Sequence, residues 1–290
     1  MLYTIRHVTL FRYSHPVRES VMEVRMQPRS ETGQRLLSFS LTTEPRSQVF
    51  SYEDPMGNTV HHFDVLKDHG DLRIEAQAQV EMATPPRAPD SLPPESWAAL
   101  SPERLESDVY DMLRPHGHLQ PTVALRQFLD AHGIARTGDP LSTLLTLKKT
   151  IHDAFDYAPG VTDVDTPIDE VLAHGNGVCQ DFSQVMIAAA RHLGIPARYV
   201  SGYLFHRKEV DDRPAPDATH AWVEAFVPYH GWIGFDPTNN TLARDRHVRV
   251  AVGRDYSDVP PTRGTFKGVA ESELSYSVSV QLASSPQRLR

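Results

Sequence analysis

The chain has 290 residues, 40% of them hydrophobic and 23% charged, enough to bury one large core or two modest ones and too apolar for disorder. Its 29 Lys and Arg against 37 Asp and Glu leave a formal charge of −8, which argues against a surface built for nucleic acid or anionic lipid. No window approaches the roughly 18 unbroken apolar residues of a membrane span, and the single cysteine, Cys179, rules out an intrachain disulfide and any multi-cysteine zinc site.

The opening MLYTIRHVTLFRYSH alternates instead of forming a signal-like apolar block, so a soluble, cytoplasmic protein is expected. Residues 1–82 carry repeated strand signals: Leu2 to Tyr13, Ser20 to Gln27, Leu36 to Thr43, Gln48 to Tyr52, Thr59 to Leu66 and Asp71 to Met82. Pro16, Pro28, Pro45, Asp54 to Asn58 and Asp68 to Gly70 punctuate them with turn chemistry. These features predict an all-β sandwich or small barrel. The clearest strand is the last, where Leu72, Ile74, Ala76, Ala78, Val80 and Met82 alternate with polar residues.

Residues 83–102 are rich in proline and read as a linker, which leaves 103–290 as a second domain. Helices are predicted over Thr122 to His132 and Leu141 to Phe155. Thr166-Pro167-Ile168-Asp169 reads as N-cap, proline at the first helical position and first-turn acid, for a short helix through Leu172 that Gly175 and Gly177 end. Phe182, Val185, Met186, Ala189, Ala190 and Leu193 then mark a helix stopped by Gly194 and Pro196, with Cys179 just before its first turn. Strands follow over Ala197 to Phe205, Thr219 to Val227, Trp232 to Asp236 and Glu273 to Leu282, with a long polar loop over 206–218 and a frayed end over 284–290.

A thiol attacks as thiolate, and the first turn of a helix offers unpaired backbone donors and partial positive charge to that anion. A free cysteine is more often a small core residue, but Gly175 and Gly177 upstream leave room for an acyl group beside the sulfur, against the plainer reading of an interhelix turn. Chemistry therefore requires a base. No H-E-x-x-H motif occurs, and the adjacent His61 and His62 point to opposite faces of a strand, a poor arrangement for one metal. His220 opens a strand after a loop, where its ring can face a cleft. Asp236 ends a strand before Pro237, where a carboxylate needs a partner. A three-residue loop over Pro228 to His230 would set Val227 opposite Gly231, Trp222 opposite Asp236, and His220 diagonally on the same side; a two-residue loop would separate them. The three residues then form a layout for acyl transfer, with Cys179 as nucleophile, His220 as base and Asp236 fixing the tautomer. The Cys179 amide supplies one oxyanion donor, with Tyr157 or Trp222 as candidates for the second.

At these residues the sequence resembles the transglutaminase-like superfamily, in its bacterial two-domain branch with an N-terminal β domain. The resemblance runs through Gly175-Asn176-Gly177-Val178-Cys179-Gln180-Asp181-Phe182, Gly194 to Tyr203, His220-Ala221-Trp222-Val223-Glu224 and Gly234-Phe235-Asp236-Pro237-Thr238. It implies an α+β fold: an N-terminal all-β sandwich or small barrel, then a papain-like core of helices packed on an antiparallel sheet. It implies Cys179, His220 and Asp236 as catalytic residues, with Gln180 and Asp181 lining the cleft or bracing its loop. The implied activity is a cysteine peptidase or amidase acting on a peptide or protein through a thioester. Protein-glutamine transglutaminase chemistry and a noncatalytic peptide-binding module are the alternatives. No cofactor or metal is expected: the acidic cluster Asp163, Asp165, Asp169 and Glu170 lacks the glycine and terminal glutamate of an EF-hand.

Overall fold

The computed structural model describes residues 1–207, 212–213 and 218–283. Most of the loop expected over 206–218, and the frayed end expected over 284–290, lie outside the described residues.

Five strands open the chain: β1 (Leu2–Val24), β2 (Gln34–Glu44), β3 (Phe50–Glu53), β4 (Thr59–Val65) and β5 (His69–Met82). The sequence predicts two strands where β1 is one, because its pairing with β5 lapses between Arg12 and Val17, around Pro16. A proline cannot donate to a ladder and is tolerated where the ladder is interrupted. The first half of β1 pairs with β5 and its second half with β4, so β1 belongs to two half-sheets. Met22, Val24, Phe63, Val65, Leu72 and Ile74 from these halves share one buried cluster, which makes the unit a sandwich joined through a bent strand. The alternating apolar residues of β5 are all buried, and so are Glu75 and Gln79 on its other face.

The segment read as a linker is docked against the core. A 3-10 turn spans Pro94–Leu100, Leu92 and Leu100 are buried, and the Trp97 indole donates to Gly138 O at 3.2 Å. The helices are α1 (Ser107–Asp111), α2 (Val123–Ala131), α3 (Pro140–Ala154), α4 (Ile168–His174) and α5 (Cys179–His192). Pro167 takes the N-cap place of α4 that the sequence reading gives to Thr166, and the helix runs on to His174, where left-handed Gly175 closes it. No helix among the described residues is long and apolar enough to cross a membrane.

The short strands β6 (Asp156–Tyr157) and β7 (Asn176–Gly177) pair in parallel beside the start of α5. Then come β8 (Ala197–Leu204), β9 (His220–Val227), β10 (Gly231–Asp236), β11 (Thr241–Leu242) and β12 (His247–Gly253), an antiparallel sheet in the order β11-β10-β9-β8-β12. Every residue of α5 from Asp181 to Arg191 is buried, so this helix is the centre of the second unit. Its Phe182, Val185, Met186 and Ala189 share a core with Ala221, Val223, Ala225 and Val227 of β9. His220 and Trp222 lie on the other face of β9, and His220, at the start of the strand, interacts with Cys179 at the tip of α5.

The chain ends with β13 (Thr262–Lys267) and β14 (Ser272–Leu282), and both pair with β1. The division at 103–290 assigns these strands to the second unit, but their hydrogen bonds place them in the first sheet. The units also meet side chain to backbone. Asn58 donates to Val252 O and accepts from Val252 N, both at 2.8 Å, and Gln34 does the same at Arg249, both at 2.8 Å. Two buried amides thus pair with the outer edge of β12 as a neighbouring strand would.

Candidate active site

Cys179 is the first residue of α5 and is partly exposed. Val178 before it is extended and offers no side-chain cap, so the turn is held from the other direction: the Asp181 carboxylate accepts from Val178 N at 2.8 Å and from Thr162 Oγ1 at 2.7 Å. A Cβ on Gly177 would lie 2.7 Å from Asp181 Oδ2 and 2.9 Å from its Cβ. The space that the sequence reading reserved for a substrate acyl group at Gly177 is therefore filled by Asp181. Burial raises the Asp181 pKa above the usual carboxylate value. Gln180 Nε2 donates to Val164 O at 3.0 Å, so Gln180 and Asp181 both brace the segment before α4.

The β9–β10 hairpin has the three-residue loop, with Val227 opposite Gly231 and Val223 opposite Phe235. That register puts Asp236 on the same side as His220, and His220 Nε2 lies 2.8 Å from Asp236 Oδ2. The carboxylate is fully buried and surrounded by donors. Pro237 ends the strand, and the turn beyond it brings the N–H groups of Thr238 and Asn239 to Oδ1 at 3.0 and 3.1 Å. Asn239 Nδ2 donates to Oδ2 at 2.8 Å, and His247 Nε2 approaches the same oxygen at 3.1 Å. Burial alone would raise the Asp236 pKa, but the charge and hydrogen bond of His220, with the hydrogen bond of His247, hold it well below the usual carboxylate value. Burial likewise opposes charge on His220, and Asp236, seconded by Cys179, overcomes it and pushes the His220 pKa up to about 10. The other nitrogen, Nδ1, is buried without a hydrogen-bond partner.

Of the two aromatics proposed as oxyanion donors, Tyr157 sits on β6, paired to the strand that leads into Cys179, and its ring packs edge-on against Phe182. Burial, then the charge of Cys179, raise its hydroxyl pKa above the ordinary value. Trp222 is buried beside His220 and edge-on to His247, and its Nε1 has no partner. It lines a cavity of about 570 Å³ behind the histidines, together with Trp232, His247, Arg198, Arg249 and Pro85, and Cys179 is not among the walls.

The sequence reading passed over two residues that complete the carboxylate's shell. Asn239 could have been found as the end of an Asp-Pro-Thr-Asn turn; His247 opens a strand left unassigned. His220, Asp236 and His247 bring three ligand-type atoms within 4.8 Å of one another. The Arg244 N–H donates to His247 Nδ1 at 3.3 Å, so His247 Nε2 carries its hydrogen and donates to the carboxylate. In that protonation state His247 offers no lone pair to a metal at this point.

Residues 130–237, from the end of α2 to just past β10, match the transglutaminase-like superfamily, and residues 3–81 match the bacterial transglutaminase-like N-terminal region. The chain belongs to the transglutaminase-like superfamily. It is 30% identical over 279 residues to an uncharacterized protein of Mycobacterium leprae, covering 94% of this chain and 96% of that one. It is also 33% identical over 101 residues to a protein-glutamine gamma-glutamyltransferase of Pseudomonas aeruginosa, covering 32% of this chain and 14% of that enzyme. The fold is similar to that of a candidate cysteine protease from Cytophaga hutchinsonii, with a TM-score of 0.75 at 20% identity over 100% of this chain and 94% of that one. Within the superfamily segment lie Tyr157, Cys179, His220 and Asp236; His247 lies beyond its end.

Proposed function

We propose that this transglutaminase-like protein is a thiol-dependent acyl-transfer enzyme that hydrolyses a peptide or amide bond through a thioester on Cys179. The reading rests on one observation: a buried imidazole held by a carboxylate at Nε2 keeps Nδ1 unpartnered, with Cys179 in electrostatic contact. Hydrogen bonds of such sites often tighten only when substrate closes the cleft.

In the proposed reaction His220 Nδ1, in keeping with its raised pKa, has already taken the thiol proton when Cys179 Sγ attacks the substrate carbonyl carbon. Negative charge develops on the carbonyl oxygen and meets the Cys179 N–H, which has no acceptor inside the helix. Tyr157 suits the second donor better than Trp222, because its raised pKa keeps the hydroxyl protonated and it lies by the thiol end of α5. The C–N bond then breaks, and the imidazolium gives its proton to the leaving amine. Water attacks the thioester, passes a proton to His220 and expels the thiolate as the acid departs.

The test is incubation with a peptide library, with and without a primary amine, read by mass. Free acid that disappears in Cys179→Ala supports hydrolysis. Amide formed at glutamine supports amine transfer, the activity named for the partly similar Pseudomonas aeruginosa enzyme. No product, with Cys179 inert to iodoacetamide, leaves a peptide-binding module.

A further inference from the structure

Behind Asp236 a second imidazole takes the same oxygen that holds His220. His247 begins β12, is buried, and reaches Oδ2 at 3.1 Å against 2.8 Å for His220. The pairings Leu204 to His247 and Gly202 to His220 put both histidines on one face of the sheet, with β8 between their strands. Gly202 leaves that face open: a Cβ there would sit 2.2 Å from Val248 O and 2.7 Å from the Trp222 ring. Because Arg244 N fixes Nδ1 as acceptor, His247 can only donate to the carboxylate.

We propose that His247 is a positioning residue of this site: its Nε2–H and that of His220 share Asp236 Oδ2, which fixes the carboxylate and turns His220 Nδ1 toward Cys179. His247 also lines the 570 Å³ cavity, so it stands between the carboxylate and the space behind it. With the donor and its ring removed, Oδ2 would shift on its remaining partners, His220 and Asn239, or take a water from the cavity. Either change weakens its hold on the imidazolium. The charged and titratable groups around the trio are Cys179 of α5, Lys148 of α3, His206 after β8 and Arg246 before β12. Asp212 pairs with both Arg246, at 2.8 Å, and His206, at 3.3 Å. Burial lowers the His247 pKa, so His247 remains a neutral donor where His220 is charged.

The inference rests on the proposed thiol chemistry, and one experiment separates the two. Iodoacetamide alkylation of Cys179 in the full chain is followed against pH for wild type, His220→Ala, His247→Leu, His247→Phe and His247→Gln, with folding checked by circular dichroism. Kcat and KM are measured on any peptide turned over. Loss of the donor in His247→Leu or His247→Phe should slow alkylation at neutral pH by about fivefold, the worth of one ordinary hydrogen bond. The alkylation midpoint should move up in pH, and kcat should fall with KM unchanged. His247→Gln, whose amide can accept from Arg244 N and donate to Oδ2, should recover most of the rate. Folded Leu and Phe variants with the wild-type profile, or a Gln variant no better than Leu, would overturn the assignment. If wild type and His220→Ala react alike, the thiol–imidazole reading itself falls, and the role of His247 with it.

Discussion

At Asp236 a carboxylate without exposed surface accepts five hydrogen bonds, two from backbone N–H groups, one from Asn239 and two from imidazoles. Asp236→Asn preserves the shape but offers an amide N–H where His220 needs an acceptor, which favours the wrong tautomer. Kcat should fall by about four orders of magnitude while the fold persists, as in other triads of this logic. The same pair sets a pH dependence of stability. His220 is raised from 6.5 to about 10, so its contribution is complete below 6.5 and is lost as pH climbs toward 10. Asp236 is depressed, so its contribution is complete above the ordinary carboxylate value of 3.8 and is lost as pH falls below it. Denaturant melts should therefore show stability declining from pH 6.5 to 10 in wild type and a flatter course in Asp236→Asn. Equal slopes would show that the pair is not the source. The approach of Asp236 to His220 was legible because loop length fixes hairpin register and both residues lie on one hairpin. The approach of His247 was not, since it depends on a strand two places away and on the missing side chain of Gly202.

Elements are held to the site by glycines that make room for the protein's own groups. Gly177→Ala would push against Asp181, whose carboxylate ties Val178 N and Thr162 to the first turn of α5. The expected cost is about 1–3 kcal/mol in a chemical melt, as for other overpacked positions, together with slower alkylation of Cys179. A variant as stable and as reactive as wild type would mean that Asp181 is not needed to hold the turn. The sequence could signal that space was required there, but a gap for a ligand and a gap for a neighbouring carboxylate look the same in a G-x-G. The apolar rhythm of α5 and the alternation in β5 were readable because each element buries side chains in its own period. Thr262–Lys267 was not: it carries a glycine and two charged residues, and it is a strand because the second half of β1 offers it an edge.

At the scale of the molecule, the two units share one buried core in spite of the proline-rich segment between them. Tyr3, Ile5, Ala78 and Val80 of the first sheet belong to the same buried cluster as Leu144, Phe182 and Val223 of the second unit. β13 and β14 return to β1 after the whole second unit has been traced. Composition marked a boundary at 83–102 because proline changes local backbone preference, yet local preference carries no information about where a later strand will pair. Trp222 and Trp232 lie in the second unit and Trp97 in the segment docked against it, whereas circular dichroism reports strands in both units. Fluorescence and circular dichroism should therefore follow a single coincident unfolding transition. Asn58→Leu removes the amide that pairs with Val252 and leaves a buried N–H and C=O of β12 without partners, at a cost of about 1–3 kcal/mol for each unsatisfied group. Because the transition is shared, both probes should shift together to lower denaturant. Two separated transitions, with only the fluorescence one shifted, would show that the seam joins units that fold apart.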